Sequence, residues 1–253
     1  MIWKEKKISI NGIDTVFKIF GDNGSPFLIL HGWGSNSERW NRVGDLLSEN
    51  GLKVFIPDLP GFGKSSHLLK PLEVKDYLDF VLKFIEATKL EKFYLLGHSF
   101  GGGLACILSS RNPEKIEKVF LVGAACFRWQ TFKKKLFYRI SRILKIFVFV
   151  PFYGDLRKIC YRLFISSDYL QTSGVMRETY LNIITHDLSG VLPKINVPAF
   201  IFWGRKDKIT PLKEAFLLKE KIKNSQLQIF DKSGHNLHRD VPEELAKAVI
   251  SHL

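Results

Sequence analysis

A serine lies between two glycines at the end of an apolar run, in the sequence Gly97-His98-Ser99-Phe100-Gly101. The run FYLL before it is typical of a strand, and the residues after it have a helical pattern. Two small residues let the chain turn sharply between these elements, so the side chain of Ser99 projects from the sheet near a helix N-terminus. The pattern therefore predicts that the hydroxyl of Ser99 is an accessible nucleophile.

A serine hydroxyl needs partners, because it is a weak nucleophile at neutral pH unless a base accepts its proton and an acid orients that base. In proteins with a serine at such a strand-to-helix turn, the acid and the histidine follow later strands, in that order. Asp207 lies in WGRKDKITP directly after the apolar run PAFIFW, and His235 lies in KSGHNLH directly after QLQIF. Both loops are at the carboxyl ends of predicted strands, where α/β sheets place their sites. We therefore expect His235 to be the base and Asp207 the acid.

Three other histidines could compete for the role of the base. His98 adjoins Ser99, but neighbouring residues of a strand point to opposite sides, so we expect His98 to pack or to form a hydrogen bond. His31 is expected to hold its own loop. His238 lies three residues after His235, in the segment that enters the last predicted helix, and it remains the competitor.

The elements that must position these residues alternate along the chain, because β-branched and aromatic runs are separated by longer helical patterns. This alternation is typical of an α/β fold with a mainly parallel sheet and crossover helices. Strands are predicted near residues 5–10, 14–20, 26–31, 53–57, 92–97, 117–123, 198–203 and 226–231. Helices are predicted at residues 36–49, 72–88, 100–111, 211–223 and 242–252. Two of them are expected to open with a proline, Pro211 and Pro242, and the turn sequence NGI predicts an antiparallel hairpin between the first two strands.

Residues 127–192 interrupt this alternation with a long helix-like stretch that is rich in aromatic and basic residues. We interpret it as a helical lid inserted into a core formed by residues 1–126 and 193–253. Its basic residues from 128 to 162 are Arg128, Lys133, Lys134, Lys135, Arg139, Arg142, Lys145, Arg157, Lys158 and Arg162. Against the single acid Asp155 they give this stretch a charge of +9, out of +13 for the whole chain.

The length and the charge restrict the protein's class and its partners. A chain of 253 residues with 45% apolar residues fits one globular domain with an inserted segment. Its 38 basic and 25 acidic residues favour polyanions or an anionic membrane surface as partners. No nucleic-acid-binding module is recognisable, so we do not expect nucleic acid as a partner.

The remaining sequence signals favour a cytoplasmic location. Cys106, Cys126 and Cys160 are odd in number and widely spaced, with no zinc or disulfide pattern around them. The N-terminal segment lacks the apolar core and cleavage site of a secretory signal. The strongest apolar run, residues 146–153, is far shorter than the roughly 20 residues a membrane-spanning helix needs.

Five motifs together resemble the α/β-hydrolase superfamily: HGWG at 31–34, DLPGFGKS at 58–65, GHSFGG at 97–102, WGRKDKITP at 203–211 and GHNLHRDVPEE at 234–244. They span nearly the whole chain, in the order of that superfamily, and the insertion at 127–192 matches its lid position. The resemblance implies an α/β-hydrolase fold with a mostly parallel eight-stranded sheet flanked by helices. It also implies that Ser99, His235 and Asp207 act as nucleophile, base and acid. Some members carry the acid after the strand that follows the nucleophile's helix. That stretch here reads FLVGAAC and has no carboxylate.

The same resemblance assigns the groups around the nucleophile. In this superfamily the oxyanion is bound by the backbone N–H of the residue after the nucleophile and by one from an early loop, which correspond here to Phe100 and Trp33. We expect an apolar substrate pocket lined by Trp33 and Leu237. No metal or organic cofactor is expected.

Three functions remain open at this point. HGWG, DLPGFGKS and GHSFGGG resemble the pimeloyl-carrier-protein methyl ester esterases, which implies ester hydrolysis and an acidic carrier protein that the basic lid would attract. The acid loop and the ending GHNLHRDVPEE also resemble the carbon-carbon bond hydrolases of ring-cleavage dienoates. A serine at position 99 disfavours the dehalogenases and epoxide hydrolases of the superfamily, which use aspartate there. The third possibility is a non-catalytic module that binds a carrier protein or, through an amphipathic basic helix, an anionic surface.

Overall fold

The computed structural model describes residues 3–127 and 172–253. Its strands are β1 Trp3–Ile10, β2 Ile13–Phe20, β3 Ser25–Leu30, β4 Leu52–Pro57, β5 Phe93–His98, β6 Ile116–Val122, β7 Ala199–Gly204 and β8 Ser225–Phe230. They form one eight-stranded sheet in the order β1-β2-β4-β3-β5-β6-β7-β8. Strand β2 is antiparallel to β1 and β4, whereas the other neighbouring pairs of this sheet are parallel. The predicted fold class is confirmed, and each observed strand begins within two residues of its predicted start.

The predicted hairpin between the first two strands is also confirmed. Ile10 of β1 faces Ile13 of β2, so Asn11 and Gly12 form a two-residue turn. Their φ angles are 55° and 75°. Two successive positive φ angles define the turn type that matches the twist of a hairpin, and Asn followed by Gly adopts it most readily.

The described helices follow the predicted pattern, except that one begins later than predicted and one short helix, at Leu237–Asp240, was not predicted. They are α1 Asn41–Glu49, α2 Val74–Ala87, α3 Phe100–Arg111, α4 Gly174–Ile184, α5 Lys213–Lys221, α6 Leu237–Asp240 and α7 Pro242–Ile250. A 3-10 turn, Ser37–Trp40, forms the first part of the helix predicted at 36–49. Pro242 opens α7 as expected. The prediction for Pro211 is wrong, because α5 begins at Lys213, after a turn.

The sheet divides the apolar core into two clusters, one on each face. Successive residues of a strand point to opposite faces, so Leu28 lies in the first cluster and Phe27 in the second. Helices α2, α3 and α5 cover the first cluster, and α1 and α7 cover the second. The four loops with candidate functional residues follow β3, β5, β7 and β8 at the carboxyl edge of this sheet.

Helix α4 is the described part of the predicted lid, and polar contacts tie it to the core. The hydroxyl of Thr179 accepts a hydrogen bond from the N–H of Leu72 at 3.1 Å, and the side-chain amide of Asn182 donates to the carbonyl oxygen of Leu72 at 3.2 Å. The ten basic residues predicted to lie on the lid fall outside the described residues. The boundaries 127 and 192 therefore stay a prediction. Within the two described ranges, no helix is both long enough and apolar enough to cross a membrane.

Candidate active site

Ser99 occupies a sharp turn between β5 and α3, with φ 51° and ψ −114°. A positive φ is uncommon for a residue other than glycine, and such strained positions concentrate at functional sites. The flanking glycines make the turn possible. A Cβ on Gly97 would lie 2.7 Å from Cβ of Ala105, and a Cβ on Gly101 would overlap the carbonyl oxygen of Leu30. The spacing of the two glycines therefore reflects close packing on both sides of Ser99, as the sequence predicted for a tight strand-to-helix turn.

Backbone hydrogen bonds attach Ser99 to the loop after β6. The N–H of Ser99 donates to the oxygen of Val122 at 3.0 Å, and the N–H of Ala125 donates to the oxygen of Ser99 at 3.0 Å. Gly123, the residue after Val122, has a φ of 52°. A Cβ there would lie 3.2 Å from Nδ1 of His235. The loop after β6 thus connects the turn of Ser99 with the loop of His235.

Asp207 and His235 form a buried pair. Nδ1 of His235 lies 2.7 Å from Oδ2 of Asp207, and their side chains are 8% and 0% exposed. The other carboxylate oxygen, Oδ1, accepts the backbone N–H groups of Ile209 at 2.8 Å and Thr210 at 2.9 Å. These bonds fix the orientation of the carboxylate. The pair brings together two of the three residues that the sequence singled out.

Thr210 is part of this arrangement, although the sequence analysis did not single it out. Its hydroxyl lies 2.8 Å from Oδ2 of Asp207, 3.1 Å from Nδ1 of His235 and 3.2 Å from the oxygen of Gly123. The residue is buried. A signal for it exists in the sequence Asp207-Lys-Ile-Thr210, because an aspartate side chain often accepts the N–H groups two and three residues later.

The loop that contains Gly32 and Trp33 passes directly beside the serine. A Cβ on Gly32 would lie 3.1 Å from Cβ of Ser99 and 2.8 Å from Nδ1 of His98, so a larger residue does not fit there. Phe100 is the first residue of α3, and the first N–H groups of a helix have no partner within it. The assignment of Trp33 and Phe100 as oxyanion donors stays a prediction.

His31 holds this loop, as the sequence analysis expected. The N–H of Leu59 donates to Nε2 of His31 at 3.0 Å, so Nε2 is unprotonated and Nδ1 bears the hydrogen. Nδ1 in turn donates to the oxygen of Gly32 at 2.8 Å. Burial lowers the pKa of His31, which favours this neutral form. His31 is therefore a bridge between two loops and is already engaged at both ring nitrogens.

His98 and His238 lie together behind the candidate base. Nε2 of His98 donates to the backbone oxygen of His235 at 3.0 Å. The ring of His238 stacks on Trp40 with centroids 4.4 Å apart and 9° between the planes. Burial, followed by the charge of Arg239, lowers the pKa of His238 to about 3. Neither ring nitrogen of His238 has a hydrogen-bond partner among the described residues, whereas Nδ1 of His235 faces Asp207, so His238 is a poor competitor for the role of the base.

Trp33 and Leu237 have different surroundings, although both were predicted to line the substrate pocket. The half-buried ring of Trp33 lies between the core and helix α4, with centroid distances of 4.8 Å to Phe62 and 5.2 Å to Tyr180. Leu237 is 0% exposed and packs in the second core cluster, whereas Trp33 packs against the first. The expectation for Leu237 is corrected, because its side chain has no surface that a ligand could contact.

The acidic and histidine side chains of the site, Asp207 and His235, bind one another. Within residues 3–127 and 172–253, no group of three or more His, Cys, Asp or Glu side chains is placed to hold a metal ion.

A parallel sheet with a serine on a strained turn, and an Asp–His pair on later loops, defines a class of hydrolytic folds. The family described as the alpha/beta hydrolase fold matches residues 25–152 and 166–241. Because this match covers more than half of the sequence, the chain belongs to the alpha/beta hydrolase family. The resemblance on which the sequence analysis relied is confirmed.

Relatives in this family carry out more than one kind of hydrolysis. The chain is 26% identical over 239 residues to 2-hydroxy-6-oxononadienedioate/2-hydroxy-6-oxononatrienedioate hydrolase 1 of Pseudomonas putida, covering 85% of this chain and 83% of that protein. It is 26% identical over 252 residues to the monoacylglycerol lipase ABHD6 of Homo sapiens, covering 89% and 74%. Among solved structures, an esterase from Exiguobacterium antarcticum superposes with a TM-score of 0.76 at 25% identity, covering 98% and 99%.

Proposed function

We propose that this protein is a serine hydrolase that cleaves a carboxylic ester through an acyl-enzyme on Ser99. The observation that carries the proposal is that two features lie at the same edge of the sheet. One is the strained turn of Ser99, and the other is the buried pair of His235 and Asp207, joined through the loop of Gly123. The lipase and esterase relatives named above support an ester as the bond that is cleaved.

The contact between His235 and Asp207 supports one direction for the proposed proton transfer. Nδ1 of His235 faces the carboxylate of Asp207 at 2.7 Å, so Nδ1 bears the hydrogen and Nε2 has a free lone pair. In the proposed reaction Nε2 accepts the proton of Ser99 as Oγ attacks the ester carbonyl carbon. The same nitrogen then returns the proton to the leaving alcohol. In the second half, His235 takes a proton from the water that attacks the acyl-enzyme and returns it to Oγ of Ser99 as the carboxylic acid leaves.

Stabilisation of the tetrahedral oxyanion is assigned to the backbone N–H groups of Phe100 and Trp33. Phe100 begins the helix that follows Ser99, and the close approach of Gly32 to Ser99 brings the Trp33 loop to the same point. Because these donors belong to the backbone, replacing either side chain is expected to alter packing and substrate fit more than the oxyanion site itself.

The proposal is tested with a series of p-nitrophenyl esters from acetate to decanoate. Purified wild-type protein is expected to hydrolyse at least one of them, with a chain-length optimum set by the pocket beside Trp33. The variant Ser99→Ala is expected to lose at least about 10³-fold in kcat/KM. Ser251→Ala is the matched control, because this serine is exposed and its hydroxyl bonds to the backbone oxygen of Ala248 and to none of the reacting groups. Wild-type activity that persists in Ser99→Ala would contradict the proposal.

Cleavage of a carbon-carbon bond is the second candidate. It is favoured by the similarity to the hydrolase from Pseudomonas putida, which is named for dienedioate and trienedioate compounds. Both reactions use the same groups, so the discriminating measurement is loss of the absorbance of a ring-cleavage dienoate. Dienoate turnover without ester turnover would replace the ester proposal with this one.

The proposed partners stay predictions. Delivery of the substrate by an acidic carrier protein and contact with an anionic membrane surface both depend on the ten basic residues between 128 and 162, which lie outside the described residues. Binding to an acyl carrier protein that weakens as salt is raised would support the first prediction.

A further inference from the structure

The imidazole of His98 lies between two loops of the site. Its Nε2 is 3.0 Å from the backbone oxygen of His235. A carbonyl oxygen can only accept, so Nε2 bears the hydrogen and Nδ1 is an acceptor. The Nδ1 edge faces the loop of Gly32, where an added Cβ would come within 2.8 Å. The ring is therefore hydrogen-bonded to the loop assigned to the base and lies close to the loop assigned to the oxyanion.

We propose that His98, the last residue of β5, is a positioning residue that fixes the backbone of His235 relative to the turn of Ser99 through its Nε2–H···O=C hydrogen bond. This inference rests on the proposed function, because it concerns the geometry of the proposed base. His98 acts through His235 and does not itself exchange a proton with the substrate. The bond joins residues 137 positions apart in the sequence, so local chain structure alone does not explain it.

The surroundings of His98 favour a single, neutral form of its ring. The residue is buried, and its ring has three aromatic neighbours: Trp40 at 5.8 Å, His235 at 4.8 Å and His238 at 4.9 Å between centroids. Burial lowers the pKa of His98 well below its ordinary value, and the neighbouring rings of His235 and His238 act in the same direction. A ring that stays neutral keeps the same donor at the same nitrogen across the working pH range.

The rate of the proposed reaction depends on how precisely the base is positioned. The reacting nitrogen must reach the serine proton within hydrogen-bond distance, and a misplacement of about 1 Å can cost roughly 100-fold in rate. A residue that only fills the core would tolerate another ring of similar size. A positioning residue requires the donor. The two roles are therefore separated by a substitution that keeps the ring and removes the N–H.

The variant His98→Phe keeps an aromatic ring and removes the donor, and His98→Gln keeps an N–H donor at a similar distance from the backbone. With the preferred ester, His98→Phe is expected to lower kcat roughly 10- to 100-fold with KM within about twofold of wild type. His98→Gln is expected to recover kcat to within about fivefold. His238→Phe changes the same stack and keeps the hydrogen bond between His98 and His235, so its kcat is expected to stay within about threefold of wild type. Equal losses in His98→Phe and His98→Gln, or no loss in His98→Phe, would overturn the proposal.

A second measurement does not depend on the substrate. The proton on Nδ1 of His235, which is bonded to Asp207, is expected to give a downfield imidazole resonance in NMR spectra of the full chain. We expect this resonance in wild type, His98→Gln and His238→Phe, and its broadening or loss in His98→Phe. An unchanged resonance in His98→Phe would overturn the positioning role even if kcat falls. If no ester is hydrolysed but the resonance depends on His98, the proposed function fails while the positioning role stands.

Discussion

The hydroxyl oxygen of Thr210 lies 2.8 Å from Oδ2 of Asp207, the same oxygen that faces Nδ1 of His235. Each carboxylate oxygen thus has two donors within reach: a hydroxyl and an imidazole for Oδ2, and two backbone N–H groups for Oδ1. A buried carboxylate requires such partners, because leaving it unpaired costs several kcal/mol. The residues from Asp207 to Thr210 therefore form one unit that holds the carboxylate toward His235.

Replacing Thr210 by valine tests this unit, because valine has a similar shape and lacks the hydroxyl. Thr210→Val is expected to lower kcat about 10-fold and to reduce the free energy of unfolding by about 1–2 kcal/mol, since Oδ2 of Asp207 loses a donor. Ester kinetics and urea unfolding measure the two effects. Thr210→Ser keeps the hydroxyl and should lie close to wild type in both. A valine variant with wild-type kcat would show that the hydroxyl does not support the carboxylate.

The turn of Ser99 depends on the glycine that packs against β3. A Cβ on Gly101 would overlap the backbone oxygen of Leu30, which cannot rotate away as a side chain can. Gly101→Ala is therefore expected to reduce the free energy of unfolding by more than about 3 kcal/mol. Gly190 has open space around it, so Gly190→Ala should change stability by less than about 1 kcal/mol. Thermal unfolding of both variants checks the contrast, and similar Tm values would refute it.

The sequence predicted the sheet well and the surroundings of the site less well. Strand positions follow from local apolar runs, and a serine turn between glycines is itself a local signal. The side chain of Leu237 was misplaced because its closeness to His235 in the sequence does not determine which face of the sheet it reaches. Thr210 was missed because its role arises from a hydrogen bond to Asp207 and not from its own reactivity. The start predicted at Pro211 was wrong because the residues after Asp207 form turns instead of a helix.

The corrected position of Leu237 leads to a separate prediction. Leu237 is 0% exposed and lies in the second core cluster. Leu237→Ala is therefore expected to reduce the free energy of unfolding by about 2–5 kcal/mol, through the lost contacts and the cavity that remains. KM and the chain-length optimum of the ester series should stay unchanged. Trp33→Ala, by contrast, is expected to shift that optimum. A shifted optimum in Leu237→Ala with little loss of stability would restore Leu237 to the substrate pocket.

The lowered pKa of His238 predicts how the stability of the fold depends on pH. Its pKa is about 3 in the folded protein, against an ordinary value of 6.5, because of burial and then the charge of Arg239. Between these two pH values the unfolded chain therefore binds a proton that the folded chain excludes. Stability from this source is complete above about pH 6.5 and decreases as the pH falls toward 3. Burial lowers the pKa of His31 and His98 too, so all three act in the same direction.

The variant His238→Phe isolates one of these protons. Each proton taken up on unfolding lowers the free energy of unfolding by about 1.4 kcal/mol for every unit by which the pH falls. The plot of unfolding free energy against pH should therefore be less steep in the variant by about that amount near pH 5. Both ring nitrogens of His238 are buried and have no hydrogen-bond partner among the described residues. The His238→Phe variant should therefore be at least as stable to unfolding at pH 7 as the wild-type protein. Urea unfolding from pH 4.5 to 8 measures the slope, with His67→Gln as a control because that side chain is exposed in both states. If wild type and His238→Phe have the same slope, the ring of His238 takes up its proton without unfolding, which would require water or a rearrangement within the stack.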